Sequence, residues 1–109
     1  MSPSRPSVSV AELTGDEHLL DVREADEWAA GHAEQAQFVP MSELAGRLGE
    51  LPKEREVVVV CKSGARSAQV TAYLNQNGWS ARNLVGGMVA WEAASRPLVS
   101  DSGVPPVVI

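Results

Sequence analysis

Cys61 is the only cysteine in a chain of 109 residues, and its neighbours suit anion chemistry. It follows the run Val57–Val60 and precedes Lys62-Ser63-Gly64-Ala65-Arg66-Ser67. Four consecutive valines suit a central strand buried on both faces of a parallel sheet. Residues 68–76 read as a helix opened by Ser67. A strand, a tight loop and a helix N-terminus gather backbone N–H groups and partial positive charge at one point. A thiol there is pushed towards thiolate. Gly64 lets the loop turn where a Cβ would not fit. Lys62 and Arg66 bring full positive charge, and the Arg66 fork can hold two oxygens of an oxyanion. The competing reading is a buried structural cysteine, the common fate of a lone Cys. The electropositive loop argues against it.

The rest of the chain supplies the frame. Residues 8–10 read as a short edge strand and 11–13 as a brief helical turn. A second strand is expected over 18–22, a helical turn over 24–30 stopped by Gly31, and a short strand over 37–39. Ser42 is placed to cap a helix over 43–48. The valine strand follows, then the helix over 68–76, closed by Gly78. A last strand over 81–85 leads through Gly86-Gly87 into a helix over 88–94 that presents Trp91. Trp28 and Trp91 are expected in the core and His18 at the surface. Strands alternate with helices, so the fold class is α/β with a mainly parallel sheet. Ligands of such sheets sit at the carboxyl ends of strands, where Cys61 stands.

Composition narrows the function. The net charge of −5 argues against nucleic acid or an anionic membrane as a general partner. One cysteine allows no internal disulfide, and it points to a reducing, cytoplasmic setting. The N-terminus has no apolar core of the signal-peptide kind. No metal-ligand cluster, dinucleotide motif or P-loop is visible, so no cofactor or metal is expected.

The stretch from Cys61 to Ser67 resembles the active-site loop of the rhodanese (thiosulfate sulfurtransferase) family. Leu19-Leu20-Asp21-Val22-Arg23 with Glu27-Trp28 and Gly31-His32 is similar to the family's N-terminal motif. Leu84-Val85-Gly86-Gly87-Met88 with Trp91 is similar to its C-terminal one. The resemblance implies a five-stranded sheet flanked by helices. It also implies a single domain over residues 1–109, its core about 8–98, with residues 1–7 and 99–109 loose or extended. The implied activity moves sulfane sulfur from thiosulfate or a persulfide donor to a thiol or cyanide through a Cys61 persulfide. Lys62, Ser63, Gly64, Ala65, Arg66 and Ser67 would hold the substrate. Asp21, Arg23, Glu27 and His32 would brace the site, with Glu27 a candidate partner for Arg23. A sulfur-accepting protein is a further conceivable partner.

Two other functions compete. One is a persulfide carrier or binding module that works only with a partner protein. The other is a phosphatase or arsenate reductase on the same fold, where five residues separate Cys from Arg. Here only four do. Two stretches depart from the family pattern: Ala33-Glu34-Gln35-Ala36, where the turn after His32 is expected, and Arg96-Pro97, where the last helix ends.

Overall fold

The structure, a computed structural model, describes residues 6–109. The five strands are β1 (Ser7–Val8), β2 (His18–Asp21), β3 (Gln37–Phe38), β4 (Val57–Val60) and β5 (Ala81–Leu84). They form one sheet in the order β1-β5-β4-β2-β3, with every neighbouring pair parallel. The α-helices are α1 (Ala25–Ala30), α2 (Ala65–Gln76) and α3 (Gly87–Ala93). Among the described residues no helix is long and apolar enough to cross a membrane.

The valine run lies at the centre of the sheet, and its period of two divides the core. Val57 and Val59 pack with Val70 and Leu74 of α2, and Cys61 continues that phase into the same cluster. Val58 and Val60 point the other way, onto Met88 and Trp91 of α3. Each buried valine contributes roughly 1.5–3 kcal/mol relative to an exposed one. Their larger effect here is to aim Cys61 at the first turn of α2. The connection leaving β2 runs outward to β3, and the one leaving β4 runs the opposite way to β5. Cys61 therefore stands at the switch point, where parallel sheets leave a crevice.

Several elements differ from the sequence expectation. The edge strand is Ser7–Val8, not 8–10, so Ser7 does not belong to a loose arm; residues 1–5 of that arm lie outside the described residues. A 3-10 turn over Val10–Glu12 follows, closed by Glu12, whose carboxylate accepts the Ser9 N–H at 2.8 Å. The α-helix expected over 43–48 is a 3-10 helix, Met41–Gly46, followed by another, Leu48–Glu50. Pro40 precedes it, and Ser42 caps nothing. Gly46 and Gly49 break helix propensity there, and short i→i+3 bonds take over. Helix α2 starts at Ala65, earlier than expected, because Gly64 takes the left-handed conformation (φ 112°) and makes the turn itself. Trp91 is buried and its Nε1 donates to the Pro97 carbonyl at 2.9 Å. Trp28 is not core: it is half-buried, stacked between His32 and Phe38. His18 is half-buried too, its Nε2 2.8 Å from the Gln37 Oε1.

The C-terminal residues run along α1. His32 and Val99 exchange backbone hydrogen bonds of 2.9 Å in each direction. The Asp101 N–H donates to the Ala29 carbonyl and the Val107 N–H to the Ala30 carbonyl. Gly31 permits this approach, since a Cβ there would strike the Val107 backbone.

Candidate active site

The loop after β4 curls around the Cys61 sulfur. The Gly64 N–H donates to Sγ at 3.1 Å, and the Ser67 hydroxyl lies 3.2 Å from it. Helix α3 holds the outside of the loop: the Met88 N–H donates to the Cys61 carbonyl at 2.8 Å and the Val89 N–H to the Lys62 carbonyl at 3.0 Å. With those carbonyls tied outward, the loop N–H groups remain directed at the sulfur. Gly87, at φ 54°, makes this docking possible, because a Cβ would collide with the Cys61 carbonyl.

Burial of Cys61 pushes its thiol pKa up. Hydrogen bonds from the Ser67 hydroxyl and from the Ser67, Gly64 and Ser63 backbone outweigh that, and the thiol lies below its ordinary range. The sulfur is therefore a buried, acidified thiol inside a cradle of donors. Lys62 and Ser63 are exposed at the mouth, and Ala65 begins α2.

Arg66 does not present a free fork. Its two terminal nitrogens bind the Glu27 carboxylate at 2.8 and 2.9 Å. Glu27 is thus the partner of Arg66, not of Arg23 as expected. Reach across space decides this, since 39 residues separate the two in sequence. The Arg66 hydrogen bonds hold the Glu27 carboxyl down at about 2, against the effect of burial. The same carboxylate accepts the Glu24 N–H at 2.9 Å, closing the first turn of α1. Glu27 also holds the Arg66 guanidinium further into its charged form.

Asp21 and Arg23 form a buried pair at the end of β2. Arg23 Nε and Nη2 reach the Asp21 carboxylate, at 2.9 and 2.8 Å, and Nη2 also donates to the Gly31 carbonyl at 2.8 Å. His32 lies just past the C-cap of α1 at Gly31. Its Nδ1 is 2.7 Å from the Trp28 carbonyl, and its ring stacks on Trp28 at 3.6 Å. These contacts give Asp21, Arg23 and His32 a bracing geometry.

Asn83, on β5, belongs to the site and escaped the sequence reading. Its Nδ2 donates to the Gly64 carbonyl at 3.3 Å, and its Oδ1 lies 2.5 Å from the Ser67 hydroxyl. The usable signal was an asparagine inside a strand, a position the residue disfavours.

Known proteins bear on this geometry. Residues 8–94 match the model of the rhodanese-like domain. The chain is 43% identical over 91 residues to a sulfurtransferase of Allochromatium vinosum, covering 83% of this chain and 85% of that one. A rhodanese-related protein from Thermoplasma volcanium superimposes with a TM-score of 0.82 at 30% identity, covering 87% of this chain and 98% of its own. A rhodanese-like domain protein from Staphylococcus aureus gives 0.76 at 31% identity, covering 94% and 99%.

Proposed function

The chain belongs to the rhodanese-like domain family, and on that premise we propose that it is a sulfurtransferase working through a Cys61 persulfide, with thiosulfate or a persulfide as donor. The Cys61 thiolate attacks the outer sulfur of thiosulfate, the donor's S–S bond breaks, and sulfite leaves with the electron pair. An acceptor thiolate or cyanide then attacks the outer sulfur of the persulfide. The pair of the breaking bond returns to Sγ, and the thiolate is regenerated. This is two-step covalent catalysis. The observation that carries the reading is the cradle itself: Sγ faces the Gly64 N–H and the Ser67 hydroxyl, and its pKa is lowered despite burial. A cradle of this kind stabilises an anionic sulfur in both steps. The four residues between Cys61 and Arg66 leave a small ring for a tetrahedral phosphate, and Arg66 is already engaged by Glu27. Both points favour sulfur transfer over phosphate chemistry.

The test is incubation with thiosulfate followed by intact mass. One added sulfur atom is expected, removed by cyanide as thiocyanate. Cys61→Ser should abolish loading and turnover, since the loop offers no base to activate a hydroxyl. Loading without turnover by a small acceptor would assign the chain to the sulfur carriers. A Cys61 that no sulfane donor loads would overturn the proposal.

A further inference from the structure

The Ser67 hydroxyl carries one proton and has two neighbours able to take it, Cys61 Sγ at 3.2 Å and Asn83 Oδ1 at 2.5 Å. Ser67 is fully buried. The Asn83 amide has one satisfied orientation: Nδ2 donates to the Gly64 carbonyl, and the reverse would set Oδ1 against that carbonyl oxygen. Oδ1 therefore faces Ser67 and can only accept. Two oxygens this close need a proton between them, and only Ser67 has one to give.

We propose that Asn83 is a positioning residue that sets the direction of the Ser67 hydroxyl, and through it whether Cys61 Sγ is met by a lone pair or by a donor. With the hydroxyl turned to Asn83, the Ser67 oxygen presents a lone pair to sulfur. That arrangement suits the thiol, whose S–H donates to Ser67. When the thiol loses its proton, the lone pair faces a thiolate, and the hydroxyl swings to another staggered well to donate to Sγ. Asn83 Oδ1 is then left without its partner. The same swing accompanies transfer: as the acceptor's pair forms its bond to the outer sulfur, the pair of the breaking S–S bond falls on Sγ and Ser67 turns to meet it. Asn83 thus weighs towards the thiol, and Ser67, once turned to Sγ, towards the thiolate. The transfer step rests on the persulfide reading; the control of the thiol does not.

The charged groups near the sulfur are Lys62 and Arg66 on its own loop, Glu24 and Glu27 at α1, and the Asp21–Arg23 pair at the end of β2. They are common to every variant below, so their fields drop out of the comparison.

The experiment is the rate of alkylation of the full chain by iodoacetamide against pH. Asn83→Ala should lower the apparent thiol pKa by roughly half a unit to one unit, the scale of one hydrogen bond. Ser67→Ala should raise it by a similar amount. In the Ser67→Ala background, Asn83→Ala should move nothing. A merely structural Asn83 predicts the opposite sign, because a loosened loop loses N–H donors to the thiolate. Asn83→Leu keeps the volume without the acceptor and decides the matter should Asn83→Ala melt early. An unchanged or raised pKa in the variant that folds, or the same shift in the Ser67→Ala background, overturns the proposal. Alkylation needs no sulfur donor, so failure here is distinct from failure to load a persulfide.

Discussion

Arg66 reaches the mouth of the site already neutralised. Its fork is spent on Glu27, and Glu24 adds a second negative charge nearby. Lys62 is the exposed cation on the loop. A dianionic donor approaching a chain of net charge −5 should depend on it. Lys62→Ala should therefore raise the KM for thiosulfate more than Arg66→Ala, with kcat little changed by the former. Glu27→Gln frees the Arg66 fork and should lower that KM several-fold. Added salt should imitate Lys62→Ala, because the Lys62 charge lies in solvent. Steady-state kinetics with thiosulfate at two ionic strengths check all three. Equal effects of the two cation variants would mean that the pair with Glu27 opens when the donor binds. At this scale the sequence spoke clearly of Cys61, since an apolar strand ending in a thiol beside Gly, Lys and Arg is local information. It was silent on who holds Arg66, because that contact is made by folding and not by neighbours in sequence.

Helix α1 is six residues long and would be marginal alone. Its unpaired C-terminal carbonyls are met one by one from elsewhere. His32 Nδ1 lies against the Trp28 carbonyl, and the Asp101 and Val107 N–H groups bind those of Ala29 and Ala30. Arg23 takes the carbonyl of Gly31. The family-like residues Arg23 and His32 and the C-terminal residues thus fasten one short helix, and that helix holds Glu27. A Cβ at position 31 would displace Val107. Gly31→Ala should cost about 1–3 kcal/mol, the range for overpacking. It should also speed amide exchange at Asp101 and Val107 while leaving β4 protected. Exchange measured residue by residue tests this, and unchanged protection at both amides would remove the C-terminal residues from the support of α1. The expectation of loose or extended residues at 99–109 had no periodicity to work with: the segment bends over 101–104 and is held by backbone hydrogen bonds and by Val108 packed on the core. The 3-10 helix at Met41–Gly46 was hidden for another reason. Leu44 and Leu48 are spaced as on an α-helix, yet Gly46 and Gly49 let shorter bonds win. Strands β2 and β4 were legible because apolar runs mark them directly, whereas β5, Ala-Arg-Asn-Leu, carries no such run.

At the scale of the whole molecule, the Glu27–Arg66 pair joins two helices far apart in sequence. Glu27 belongs to α1 and Arg66 to the first turn of α2, 39 residues on. Their bond therefore links the acidity of a single carboxyl to global stability. The Glu27 carboxyl lies at about 2 in the folded chain because of the Arg66 hydrogen bonds, well below its ordinary value of about 4.3 when unfolded. A carboxylate whose folded pKa is depressed adds stability that is complete above the unfolded value. It is lost as pH falls through the folded one. Glu27→Gln should accordingly unfold at lower urea concentration than the parent chain at pH 6 to 7. The gap should narrow steadily from about pH 4.5 downwards, as Glu27 of the unfolded parent chain takes up a proton that the folded chain does not yet bind. The Glu27 side chain is 14% exposed but that of Arg66 is 35% exposed, so salt screens the pair in part and should narrow the gap without closing it. Urea midpoints of the two proteins between pH 7 and pH 3 provide the measurement. A gap that stays constant over that range would show that Glu27 supports the fold by packing and by the cap at Glu24, with the ion pair contributing nothing to the joining of α1 and α2.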